Sequence, residues 1–192
     1  MTIRIFSTFI LAISLLTLHG CVTITGEPRE EMIVQDVEYD KATPDNRFYQ
    51  SLRAGEMSGF SGTSIIILTF NTSPNLSAER AGAVINRALD EANLFGENGQ
   101  YKVNAEVISD GSCGELFSGC DGNIYRVTRE VSVKYTVQDN EGNLVASRVI
   151  TTDGTWANFD TTLLKERRAA EIAYKNNLVE MISYLKEFGQ NH

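Results

Sequence analysis

The chain is short of the groups with which proteins run reactions. Only His19 and His192 are histidines among its 192 residues, and only Cys21, Cys113 and Cys120 are cysteines. Metal sites and general-base catalysts draw on such residues at defined spacings, and none of those spacings occurs. The glycines at 55, 59 and 62 are not followed by Lys-Ser or Lys-Thr and read as flexible turns rather than a phosphate loop. Basic charge is also scarce: 17 Lys plus Arg stand against 25 Asp plus Glu, a net charge of −8. Without a basic stripe there is nothing to bind a nucleic-acid backbone. Long apolar runs are missing beyond residue 20. The most apolar later stretch, Ile65-Ile66-Ile67-Leu68, is far below the ~20 residues a spanning helix needs.

The acids that remain carry little chemistry. Asp36 with Glu38, or Asp139 with Glu141, has the separation of a hydrolase pair, but acid clusters of this kind are usually solvated surface. Asp110, Glu115 and Asp121 surround a loop without the regular ligand spacing of a calcium site. The expectation is a protein that is not an enzyme and takes no metal or cofactor.

What is present begins at the N-terminus. Arg4 precedes the apolar run Ile5–Leu18, about 14 residues long, which suits a cleavable secretion signal better than a membrane span. Leu18-His19-Gly20-Cys21 follows it and is similar to the lipobox of bacterial lipoproteins, with His19 in place of the usual small residue. The resemblance implies cleavage before Cys21, diacylglycerol on its thiol and acylation (palmitate) of its new amino group. Two or three acyl chains hold a protein on a membrane essentially permanently, at about 0.8 kcal/mol per buried methylene. Val22 and Thr23 replace the aspartate that marks inner-membrane retention, so the resemblance points to the outer membrane, facing the periplasm. Removing the signal takes Arg4 with it and leaves a charge of about −9.

Cysteine usage fits export. With Cys21 lipidated, Cys113 and Cys120 form an even pair for an oxidising compartment, and the expectation is a disulfide worth about 2.5 kcal/mol by loop-closure entropy. A half zinc site lacks histidine partners, and redox catalysis favours a tighter Cys-x-x-Cys.

Residues 21–61 show no sustained periodicity and are expected to be a lipid-anchored tether, partly ordered around Ile33–Tyr39 and Phe48-Tyr49. The folded domain is expected over 62–192. Thr63–Phe70 is a β-branched run suited to a central strand. Ala78–Phe95 has the apolar stripe of a helix, with Gly96 to stop it. Tyr101–Val107 alternates, as do Val131–Val137 and the returning Leu144–Thr152 around an Asp139–Asn143 turn. Asp160 or Thr161 opens a long helix to Phe188. The expected class is therefore α+β, a four-stranded mixed sheet with two helices packed on one face, in the order β-α-β-β-β-α.

This order, the strand Ser-Val-Lys-Tyr-Thr-Val and the helix Arg167–Leu185 resemble two groups: the lipoprotein that plugs the lipopolysaccharide translocon, and the auxiliary lipoproteins of envelope lipid-transport systems. The functional expectation is a non-catalytic accessory or scaffolding subunit with an envelope protein partner; the alternative is a lipid- or glycan-binding carrier. Expected partner contacts are the hairpin edge, with Lys134 and Arg148, and the aromatic loop with Trp156 and Phe159.

Overall fold

A computed structural model describes residues 26–66, 71–111, 126–158, 160 and 162–191. Its elements run α1 (Glu30–Val34), β1 (Leu52–Ser58), β2 (Ser64–Ile66), β3 (Asn71–Ser73), α2 (Ala78–Glu91), β4 (Tyr101–Ser109), β5 (Arg126–Asp139), β6 (Leu144–Ala157) and α3 (Thr162–Asn191). The main sheet has the order β1-β4-β5-β6, with β1 parallel to β4 and the other pairs antiparallel.

The four-stranded mixed sheet is as expected, but the element order is not. Three helices are described, and the sheet with its helices reads α-β-α-β-β-β-α. The run expected to start the sheet instead supplies β2, which pairs with β3 in a separate two-stranded hairpin. The sheet's true first strand is Leu52–Ser58, within the stretch expected to be tether. Its alternation is hard to see because a bulge between Ala54 and Met57 breaks the two-residue period. Side chains such as Arg53, Glu56 and Ser58 also suit its place at the sheet edge, with one face open to water.

The N-terminal segment is part of the packed body. Ile33, Phe48 and Leu52 have no exposed surface. Phe48 lies edge-on to Tyr101 and stacked on Phe188, with ring centroids 5.3 and 5.9 Å away. Buried Asn46 donates its amide to the carbonyl of Lys186 (2.9 Å) and accepts from the Phe48 N–H (2.9 Å), fastening this segment to the end of α3. The short α1 contacts both longer helices.

Helix α2 buries Ala81, Val84, Ile85, Ala88 and Leu89 and packs against β1. The chain leaves it through Asn93, in the left-handed conformation at φ 59°, before the expected stop at Gly96 is reached. Helix α3 lies along β5 and β6, burying Ala169, Ala170, Ala173, Tyr174, Leu178, Met181, Ile182 and Leu185. It approaches the sheet tightly at Gly154, where an added Cβ would stand 2.2 Å from the Ala169 oxygen and 2.3 Å from the Ala173 nitrogen. Small residues on both elements permit that contact.

Candidate functional site

With the helices on one side, the other side of the sheet is open to water, and its side chains follow from the two-residue period of each strand. Ser58, Glu106, Lys134 and Val149 are successive cross-strand neighbours and form one exposed row across all four strands. Asn104, Thr136 and Ser147 form the next. Beside the β1 bulge the Asn104 side chain accepts from the Glu56 N–H (2.7 Å) and donates to Gln138 (2.8 Å), taking the place of a regular ladder bond. Only glycine fits opposite it: a Cβ on Gly55 would lie 2.1 Å from Asn104 Oδ1. Hydroxyl pairs Ser132–Thr151 (2.8 Å) and Thr128–Thr155 (2.9 Å) continue the polar face across β5 and β6. The result is a shallow groove of about 260 Å³ lined by Glu56, Ser58, Asn104, Glu106, Lys134 and Thr136. Beside it runs the outer strand β6, fourteen residues long, with no further strand paired to it among the described residues.

The residues expected to make partner contacts do not share one surface. Lys134 lies on the open face. Arg148, expected beside it, is on the helix side: it is paired with Tyr135 and falls between buried Ala146 and Ile150, so the strand period turns it toward α3, where its guanidinium lies 5.2 Å from the Tyr184 ring centre. Trp156 is half-buried and engaged, its indole N–H donating to Asp160 (2.9 Å) and Arg168 lying 5.7 Å from its ring centre. Phe159 and the lipidation residue Cys21 lie outside the described residues.

The expected Cys113–Cys120 disulfide is not upheld; both cysteines, like Cys21, lie outside the described residues. The described flanks of that loop are held together by the sheet ladder and a buried arginine. The β4–β5 ladder brings Ser109 opposite Ser132, and Arg129 donates through Nε to the Asp110 carbonyl (2.9 Å).

The acid pair Asp139 and Glu141 has a structural duty. Asp139 accepts from the backbone of Glu141 (2.9 Å) and from the backbone and side chain of Asn143 (2.8 and 2.9 Å), shaping the β5–β6 turn. Those bonds, the Asn143 side chain first, hold its carboxyl below the usual range. Asp110 is taken up by Arg129 and by Asn75, whose amide donates to its carboxylate. Arg129 is itself buried, with Nη2 on Asn75 Oδ1 (2.8 Å), and burial lowers its pKa. An acid facing a guanidinium is a poor calcium ligand. Among the described residues no group of three or more His, Cys, Asp and Glu is placed to hold a metal ion.

The apolar space bounded by Phe60, Leu76, Val84, Ile85, Tyr135 and Tyr174 measures about 10 Å³. No helix among the described residues is long and apolar enough to cross a membrane.

No family model and no curated protein matches the chain. Several solved bacterial structures are similar in fold. Protein XCC0632 from Xanthomonas campestris, assigned to the family model DUF330, is 13% identical, with a TM-score of 0.53 over 80% of this chain and 94% of its own. A minor lipoprotein from Acinetobacter baumannii is 13% identical, with a TM-score of 0.45 over 72% of this chain and 94% of its own. The PelC dodecamer from Paraburkholderia phytofirmans is 12% identical, with a TM-score of 0.43 over 77% of this chain and 93% of its own. The first shows a shared fold, and at such identities nothing beyond the fold follows.

Proposed function

We propose that the protein is a non-catalytic accessory lipoprotein of a bacterial envelope assembly, tethered to the outer membrane through acylated Cys21 and facing the periplasm, where it recruits a protein partner with the open sheet face and the outer edge of β6. The observation that carries this reading is the pairing of an open edge with a closed interior. A fourteen-residue outer strand lies beside a solvent-open face, while the apolar space under the sheet is only about 10 Å³. An unpaired edge is a template for a partner's strand. A space of that size holds no acyl chain, since a ligand pocket runs to about 300 Å³ or more. The lipid-carrier alternative therefore lacks its cavity in the described core. The groove on the open sheet face offers a glycan no aromatic ring to stack on.

Two measurements test the proposal. Replacing Cys21 with Ala should leave an unprocessed, unacylated precursor; a mature mass identical to that of the unaltered protein would end the lipoprotein reading. A photo-crosslinking residue at Lys134 or Val149 should capture one envelope protein in intact membranes, and the same residue at Glu187, on the exposed side of α3, should not. Equal capture at Glu187, or purification of the protein alone with stoichiometric lipid or glycan, would count against the partner reading.

A further inference from the structure

Glu171, in the third turn of α3, carries more positive charge around it than it neutralises. Its side chain is 3% exposed and faces three arginines. Oε1 accepts from the backbone N–H of Arg29 (3.1 Å) and from its Nε (3.2 Å), and Oε2 accepts from Nη1 of Arg168 (3.0 Å). Arg167 Nε stands 3.8 Å from Oε1. The acids flanking Arg29 do not help, because Glu27 and Glu30 face Arg80 at 2.8 and 3.9 Å.

One carboxylate therefore serves three guanidiniums, in a chain whose net charge is −8. Buried nitrogens are left over: Arg29 Nη2, Arg167 Nε and Arg168 Nε have no hydrogen-bond partner among the described residues. An unmet buried donor is costly, more so when charged. The helix compounds the surplus, since α3 has no acid in its first turn and Arg167 and Arg168 stand near its positive end. The cluster is still reachable, the side chains of Arg29, Arg168 and Arg167 being 34%, 23% and 17% exposed.

We infer that Arg29, Arg167 and Arg168 form a binding site for one phosphate-bearing group, the headgroup of an anionic phospholipid or free phosphate. A tetrahedral oxyanion offers enough oxygens to take donors from three guanidinium forks at once and brings the charge the cluster lacks. Its position suits a headgroup. Gly26 lies against Arg167, with its ideal Cβ 3.9 Å from Nη1, and the five residues back to Cys21 span at most roughly 18 Å. That proximity rests on the proposed acylation of Cys21; the anion site itself does not.

The full-length chain in detergent carries its own reporter, because Arg168 overlies Trp156 and Trp156 is its single tryptophan. Inorganic phosphate, and separately detergent micelles doped with phosphatidylglycerol or phosphatidylcholine, should be titrated against its fluorescence. A saturable response to phosphate alone identifies a soluble anion, and a response to phosphatidylglycerol but not phosphatidylcholine identifies a lipid headgroup; either supports the site. The double variant Arg167→Gln/Arg168→Gln should weaken binding at least about tenfold, as lost charge-assisted hydrogen bonds require. Glu171→Gln should tighten it, because the competing carboxylate is gone, and a merely structural role predicts no such gain. Circular dichroism establishes that each variant folds; Arg168→Lys, which keeps the charge and loses the fork, should weaken binding and replaces any that does not. No saturable response to any probe, or binding that these variants leave unchanged, overturns the inference.

Discussion

Asn177 has no exposed surface, and its amide is used at both ends. Oδ1 accepts from the Tyr135 hydroxyl (2.7 Å), and Nδ2 reaches the Ile150 carbonyl (2.9 Å) and Thr152 Oγ1 (3.2 Å). One side chain thus fastens α3 to both β5 and β6. Asn177→Ala leaves a hydroxyl and a carbonyl without partners in a dry space and should cost about 2–3 kcal/mol. A urea titration checks this, and a loss below about 1 kcal/mol would mean that water has taken the amide's place. Gly154→Ala acts by the opposite route: the added methyl meets the backbone of α3. The expected cost is about 1–3 kcal/mol, read from the same titration, with helix α3 pushed outward. The alternating residues Val131, Val133, Tyr135 and Val137 are all buried, as their period implies. Asn177, Arg129 and Glu171 were not legible, because a polar residue in an apolar stripe declares its burial only through partners far along the chain.

At the scale of elements, strongly periodic segments were readable and weakly patterned ones were not. The β5–β6 hairpin, α2 and α3 announce themselves by clean repeats. Strand β1 does not: it is an edge strand with a bulge, and its inward residues Leu52, Ala54 and Met57 keep no fixed spacing. Helix α1 has only five residues, too few for a helical stripe. The open side of the sheet was half legible for the same reason. The sequence exposed Lys134 correctly, while Arg148 needed the register of β6 to be placed on the helix side. If the N-terminal segment is part of the body, a chain beginning at residue 62 should lack cooperative unfolding, since it loses Ile33, Phe48, Leu52 and an entire strand of the sheet. Sharp thermal unfolding of that shortened chain would restore the boundary at residue 62.

At the scale of the molecule, three buried phenols set an alkaline limit. Burial pushes Tyr39 and Tyr174 up to about 12 and Tyr135 further still. In the unfolded chain they ionise near pH 10. Because the folded state holds the proton more tightly, their contribution is whole below about pH 10 and is lost as the pH rises toward 12. The urea midpoint should hold steady from about pH 7 to 9.5 and fall steeply above pH 10. Tyr39→Phe is the informative variant. Its hydroxyl is buried without a hydrogen-bond partner, so the change should cost little at neutral pH and flatten the alkaline fall. An unaltered slope would show that Tyr39 ionises as if exposed.

The bonds between the N-terminal segment and α3 also order events in time. Arg29 to Glu171, Lys175 to the Gln35 carbonyl and Asn46 to the Lys186 carbonyl each join residues about 140 positions apart. A chain synthesised from its N-terminus presents Ile33 and Phe48 early and helix α3 long after them. Until α3 arrives those side chains lack one wall of their packing, Phe48 having Tyr101 but not Phe188, and closing so long a loop must precede any reward for it. Docking of the N-terminal segment is therefore a late step that waits for α3, and a nascent chain stalled before α3 offers bare apolar surface to holding chaperones and proteases.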